Sequence, residues 1–324
     1  MNEYRSYLAK RVAFAILSIF IIVTFDFFLF RLMPGNPIEI LYRSPALTPA
    51  QVATLNREFG LNLPLYQQYF LFIKNSLTAN YGISINYRIP VSQVLFPALV
   101  NSLVLLVPAT VLAILLGIVT GRIAAWRRGT ATDGFLTGTS MALYSIPTFW
   151  LGEMLILLAI ASSSLPVSGM YTLGQTYSNF IFQFFDLMRH MVLPLATLTL
   201  VLYGQFTIIM RNSLIDVLDE DYISFARSKG ATDSYIMRRH AMPNAELPMI
   251  SLIAVNLGLT VGGAVLTEVV FNWPGVGLLI YDSINARDYP VLQAAFIVVA
   301  IAIVLANVVA DVLYSFLDPR IRYS

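Results

Sequence analysis

Apolar residues in this chain collect into long blocks, with the polar residues gathered in the intervals between them. The first block, residues 12–32, follows a basic leader containing Arg5, Lys10 and Arg11. About 20 apolar residues suffice for a helix to cross a bilayer. This block is too long for a typical signal-peptide core, and Pro34, Gly35 and Pro37 follow it where a cleavage site would need small residues, so an uncleaved span is expected. Blocks at 101–123, 135–160, 191–210, 246–270 and 291–316 predict five more spans, the third of the six interrupted by Pro147. Apolar stretches at 65–73 and 180–185 are too short to cross.

The longest interval, 33–98, carries helix signals of its own. Thr48 and Gln51 form a capping-box pair, Gly60 closes that helix, and Pro64 opens a second, amphipathic one. The expected architecture is an all-α integral membrane protein with six transmembrane helices. It divides into a tail and first span at 1–32, an extracytoplasmic helical cap at 33–98, a five-helix core at 99–318 and a tail at 319–324.

Composition agrees. Of 324 residues, 57% are hydrophobic and only 12% charged, against roughly 25% in a soluble domain. A net charge of +2 offers no basic field for nucleic acid. The absence of cysteine excludes disulfides and thiolate chemistry, and two histidines, His190 and His240, are too few and too far apart for a histidine metal site. Six spans put both termini on one side of the membrane. Thirteen of the twenty Lys and Arg fall on that side, in the N-terminal leader, the 122–128 and 211–240 loops and the tail. The positive-inside rule makes that side cytoplasmic, in a multi-pass protein of the cell membrane.

One cytoplasmic interval stands apart. Residues 219–245 are the densest charged stretch and read as two short helices on a tight turn. Asp219, Glu220 and Asp221 suit the start of the first, Arg227 and Lys229 its end, and Gly230 a left-handed cap. Thr232, Asp233 and Ser234 are candidate N-caps for the second, which ends in Arg238, Arg239 and His240 and is stopped or kinked by Pro243. These local signals fit a solvated loop equally well.

Catalytic patterns are missing from the sequence. No phosphate-binding Gly-rich loop with Lys occurs, nor a nucleophile elbow or a His-Glu-x-x-His helix. Intramembrane acids are few (Asp26, Glu153, Glu268, Asp311), and no internal repeat is visible, which argues against a proton- or sodium-driven carrier or a channel complete in one chain. Asn256, Gly258, Thr260, Gly262, Gly263, Thr267 and Glu268 give the fifth span a small and polar face, suited to close packing, to a translocation path, or to a partner interface.

The motifs taken together resemble the permease subunits of dipeptide/oligopeptide ABC importers, the type-I binding-protein-dependent transporters. The general importer motif is Glu-Ala-Ala, three residues, Gly, nine residues, then Ile-x-Leu-Pro. Here Ser224-Phe225-Ala226, Gly230, His240-x-Met242 and Pro243 keep the spacing, with Ala226, Gly230 and Pro243 matching and the Glu absent. Asp221-Tyr222, Arg227 and Lys229, and His240, Asn244 and Ala245 look like the variant of the peptide branch. So do Arg31 to Pro37, Glu268 with Trp273-Pro274-Gly275, Arg287-Asp288-Tyr289-Pro290, and Asp318 to Arg322.

The resemblance implies a type-I importer fold and a second homologous permease subunit. It also implies two cytoplasmic ATPase subunits that use ATP and Mg, and an extracytoplasmic solute-binding protein. This chain would bind no cofactor or metal and catalyse nothing itself. The 222–243 helices would couple to an ATPase, Tyr222, Phe225 and Tyr235 filling a partner pocket while Arg227, Arg238 and Arg239 pair with its acids. Trp273, Pro274, Gly275, Arg287 and Asp288 become candidates for contact with the binding protein. Peptides are the expected cargo, with oligosaccharides or nickel as alternatives.

Overall fold

The structure, a computed structural model, describes residues 2–32, 48, 50, 53, 63–162, 165–250, 252–253, 256 and 265–317. In order the helices are α1 (Asn2–Leu32), α2 (Leu65–Leu77), α3 (Val91–Trp126), α4 (Ala131–Ser145), α5 (Thr148–Ser162) and α6 (Phe180–Leu218). Then come α7 (Asp221–Ser228), α8 (Asp233–Ile236), a π turn (Met237–Ala241), α9 (Met242–Ala245), α10 (Val265–Val270), α11 (Val276–Ala286) and α12 (Tyr289–Leu317). The only β pairing among the described residues is an isolated bridge between Ile83 and Pro90. The protein is all-α.

Among the described residues four helices are long and apolar enough to cross a membrane, within α1, α3, α6 and α12, and α4 with α5 make a fifth if the pair is one broken span. The middle of the expected fifth span, residues 257–264, and most of the 48–60 helix lie outside the described residues. Two expectations are corrected. Helix α3 begins at Val91, ten residues before the expected second span, with Pro90 at its N-cap.

The aromatic stretch at 180–185, expected to stand alone, is the start of the 39-residue α6. Asp186, inside this helix, is satisfied from the neighbouring connection. It accepts from the Thr172 amide and hydroxyl, both at 2.8 Å, and from the Tyr177 hydroxyl at 2.5 Å. The interruption expected at Pro147 is present as a sharp bend: α4 and α5 meet at 101°. Pro147 disfavours helical backbone at Ile146, which is extended at φ −75°, ψ 131°.

Helices α3 and α6 form the main packing pair, joined by α4 and α5 along α6 and by α1 against α12. The α3–α6 crossing is close because Gly117 and Gly121 face it. A methyl at Gly117 would overlap Phe206, and one at Gly121 would lie 2.6 Å from the Thr207 carbonyl. The Thr120 and Thr207 hydroxyls meet there at 2.8 Å. Small residues at four-residue spacing let helix backbones approach in this way.

Candidate coupling site

The 219–245 stretch is built as a compact unit on the end of α6. Helix α7 ends in a Schellman cap: Gly230 N–H donates to the Arg227 carbonyl at 2.9 Å and Ala231 N–H to the Ala226 carbonyl at 3.2 Å. That geometry places Gly230 at φ +85°, which costs glycine little and other residues more. Thr232 caps α8, its hydroxyl accepting from Tyr235 N–H at 3.4 Å.

Pro243 does not end the second helix. It lacks an N–H, and its ring crowds the carbonyl four residues earlier. The chain absorbs this by widening into the π turn at Met237–Ala241 before α9 continues. The Asn244 amide donates to the His240 carbonyl at 2.8 Å and to the Tyr222 hydroxyl at 3.1 Å, tying the second helix back to α7.

The unit has two faces. Ile223, Ile236, Met237, Ala241 and Ala245 are buried against Met210 and Leu214 of α6 and Ala125 of α3. Each large side chain buried there contributes about 1.5–3 kcal/mol. The other face is free: Tyr222 is 40% exposed, Phe225 62% and Tyr235 53%. Lys229 Nζ lies 4.3 Å from the Phe225 ring centre, and the Tyr235 and His240 rings are 5.5 Å apart. Arg227, Arg238, Arg239 and Pro243 are exposed beside them, with Ala226 and His240 half-buried. Clustered large aromatics on a surface mark a contact with another molecule.

Two ion pairs lie near the base of this unit, one joining α4 to α6 and one reaching the unit itself. Arg211 on α6 makes a bidentate pair with the buried Asp133, at 2.6 and 2.7 Å, and Gly129 N–H donates to the same carboxylate at 3.0 Å. Arg128 reaches Asp219, next to α7, at 2.7 Å.

The corner from α10 to α12 is built the opposite way. Glu268 is wholly buried. It accepts from the Ser102 hydroxyl at 2.7 Å and, at the start of α11, from Gly277 N–H at 2.7 Å and Leu278 N–H at 3.2 Å. A carboxylate there meets the positive end of the helix dipole. Gly275 is required because a methyl would overlap the Glu268 carboxylate.

Trp273 is wholly buried, packed with Leu105, Met170 and Leu198, and its indole N–H donates to the Asn101 carbonyl at 2.9 Å. At the other end of α11, Arg287 takes a left-handed cap conformation at φ 56°. Asp288, also wholly buried, accepts from the Ser84 hydroxyl at 2.5 Å and Asn86 N–H at 3.0 Å. Burial, then the negative charges of Asp282 and Asp288, push the nearby Tyr87 phenol up from its ordinary value.

The expectation of an outer-side contact is therefore corrected for Trp273 and Asp288, whose side chains join the corner to α3 and the 81–90 segment. Only Pro274 and Arg287 of that set are exposed, Gly275 being buried under Glu268.

Known relatives match along the same elements. The family model described as "Binding-protein-dependent transport system inner membrane component" matches residues 114–323, and its N-terminal companion matches residues 4–91. A probable peptide ABC transporter permease of Sinorhizobium fredii is 35% identical over 318 residues, covering 98% of this chain and 99% of the relative. The dipeptide transport system permease DppB of Escherichia coli is 35% identical over 334 residues, with 98% of each chain covered. The oligopeptide transport system permease AppB of Bacillus subtilis is 33% identical over 320 residues, covering 98% of this chain and 99% of the relative.

The chain belongs to the binding-protein-dependent transport permease family.

An inward-facing structure of the MetNI methionine ABC transporter shares the fold, with a TM-score of 0.54 at 16% identity over 70% of this chain and 97% of that one. The chain is thus a multi-pass membrane subunit of an ABC importer.

In this permease the small and polar face expected on the fifth span is only partly described. Asn256 is buried and accepts from the Gln205 amide of α6 at 2.8 Å. Thr267 and Glu268 are buried in the corner. Gly258, Thr260, Gly262 and Gly263 lie outside the described residues. Close glycine contacts between described helices fall instead at Gly117-x-x-x-Gly121 on α3 and at Gly204 on α6, where a methyl would meet the Ser140 carbonyl of α4. Among the described residues no three His, Asp or Glu side chains gather as a metal site.

Proposed function

We propose that this permease forms half of the translocation path of an ATP-driven importer of di- and oligopeptides, with both termini cytoplasmic. Its partners are a second homologous permease, two ATPase subunits that carry ATP and Mg, and an extracytoplasmic binding protein that delivers the peptide. The chain itself is non-catalytic. Peptide cargo, over oligosaccharide or nickel, rests on the names of relatives that match end to end.

The coupling role rests on the two-faced unit. Its apolar side is fixed to α6 and α3, while Tyr222, Phe225 and Tyr235 stand free to fill a cleft on an ATPase. Packed elements move as bodies, so displacement of that cleft is transmitted to α6. Purification with the native partners, followed by mass spectrometry of the solute in the binding protein, tests the cargo. Bound peptides are the expected result; an oligosaccharide or nickel would overturn it. Uptake that persists without ATP would overturn the ATP-driven reading.

A further inference from the structure

Arginines near the cytoplasmic end divide into two groups. Arg128, Arg211 and Arg227 each reach a carboxylate, Asp219 at 2.7 Å, Asp133 at 2.6 Å and Asp233 at 3.9 Å. Arg122 and Arg238 pair with no acid among the described residues, and Arg127 makes only a 3.5 Å contact with the Thr132 hydroxyl. These three converge on one groove, between the last turns of α3 and the π turn, with Trp126 and Met237 in its walls. Asp233 is the single acid lining it, and that carboxylate already leans towards Arg227. The groove is therefore a net-positive pocket with apolar sides.

Its depth suggests what fills it. Arg122 and Trp126 lie where the apolar run of α3 ends. Trp and Arg are characteristic of the layer where a span meets the headgroups. Basic pockets between helices on the cytoplasmic side suit anionic lipid headgroups, and guanidinium groups pair well with phosphate.

We propose that the groove binds the phosphate of an anionic phospholipid of the cytoplasmic leaflet. Arg122 holds it from the core and Arg238 from the coupling unit, while Trp126 packs against the glycerol and upper acyl chain. The bound lipid bridges α3 and the π turn, so leaflet charge stiffens the unit that faces the ATPase.

The test uses the whole complex purified in detergent, probed by native mass spectrometry with dioleoyl phosphatidylglycerol and, separately, dioleoyl phosphatidylcholine. Phosphatidylglycerol is expected to be retained in preference. Arg122→Gln and Arg238→Gln should each weaken retention about fivefold, while Arg128→Gln, outside the groove, leaves it unchanged. Equal retention of the two lipids, or a double variant that binds as the native protein does, overturns the proposal. So does displacement of the lipid by an equal concentration of inorganic phosphate, which would mark a free-anion site. A double variant that sheds the ATPases yet keeps its lipid would reassign the groove to a protein contact.

Should the double variant fail to assemble, brominated phosphatidylglycerol is added to the native complex and to Trp126→Phe. Greater quenching in the native complex supports the site, and equal quenching overturns it.

Discussion

The coupling unit at 219–245 and the corner at 268–288 look alike in sequence and are opposites in structure. Each joins short helices through a turn that carries a required glycine, and each concentrates aromatic and charged residues. The coupling unit buries small and aliphatic side chains and presents its aromatics outward, with Phe225 62% exposed. The corner buries Trp273 and two of its acids, Glu268 and Asp288, all at 0% exposure. Dense motifs therefore mark two different needs. One is an exposed aromatic face, proposed above to meet an ATPase; the other is a turn whose polar groups have no water to fall back on.

The sharpest way to break this contrast is to empty the corner. Glu268→Ala strands two buried donors, the Ser102 hydroxyl and the Gly277 amide, and the part-buried Leu278 amide. Each unsatisfied buried donor costs about 1–3 kcal/mol, so a loss of at least about 2 kcal/mol is expected. Thermal unfolding followed by size exclusion in detergent measures it. An unchanged melting temperature would remove the corner from the stabilising elements.

The coupling face should respond in the reverse sense. Phe225→Ala removes an exposed ring, so folding stability should move by no more than about 0.5 kcal/mol. Association with the ATPase should weaken by about 2 kcal/mol, roughly thirtyfold, as for a central aromatic anchor. Co-purification of the ATPase at graded concentrations reads this out. A destabilised subunit with native association would turn the assignment round.

Gly230→Ala isolates the turn between the two faces. Nothing lies within 4 Å of an added Cβ, so no clash is introduced and only the left-handed backbone is penalised. The cost is about 1–2 kcal/mol. It falls on α7 and α8 alone, so the subunit should reach the membrane while peptide uptake per ATP hydrolysed declines. Uptake and hydrolysis changing in parallel would argue that the turn does not couple them.

The difference between the regions also explains what could be read from the sequence. Caps and turns are local chemistry, so Gly230 and Thr232 were legible, as were the C-terminal end of α1 and the break at Pro147. The continuity of α6 was not, because the partners that satisfy Asp186 come from Thr172 and Tyr177 on another segment. The inward roles of Trp273 and Asp288 were hidden for the same reason. Their partners, Asn101 and Ser84, lie far back in the chain. At Pro243 the sequence left a stop and a kink open, because a π turn that relieves its crowding leaves no mark in composition.

The smallest expected effect separates two ion pairs at the base of the coupling unit. Arg211 grips Asp133 through two hydrogen bonds, and the carboxylate side is only 7% exposed. Arg128 meets Asp219 at a similar distance, but the two side chains are 57% and 64% exposed. Water and salt screen the second pair, and ordering two exposed side chains offsets most of its Coulomb gain. Arg128→Gln should therefore shift unfolding by less than about 1 kcal/mol, with the shift shrinking as salt is raised. Melting curves of Arg128→Gln and Arg211→Gln at low and high salt make the comparison. Equal losses in the two variants would mean that position beside α7, rather than burial, sets the worth of a charge at this end of the permease.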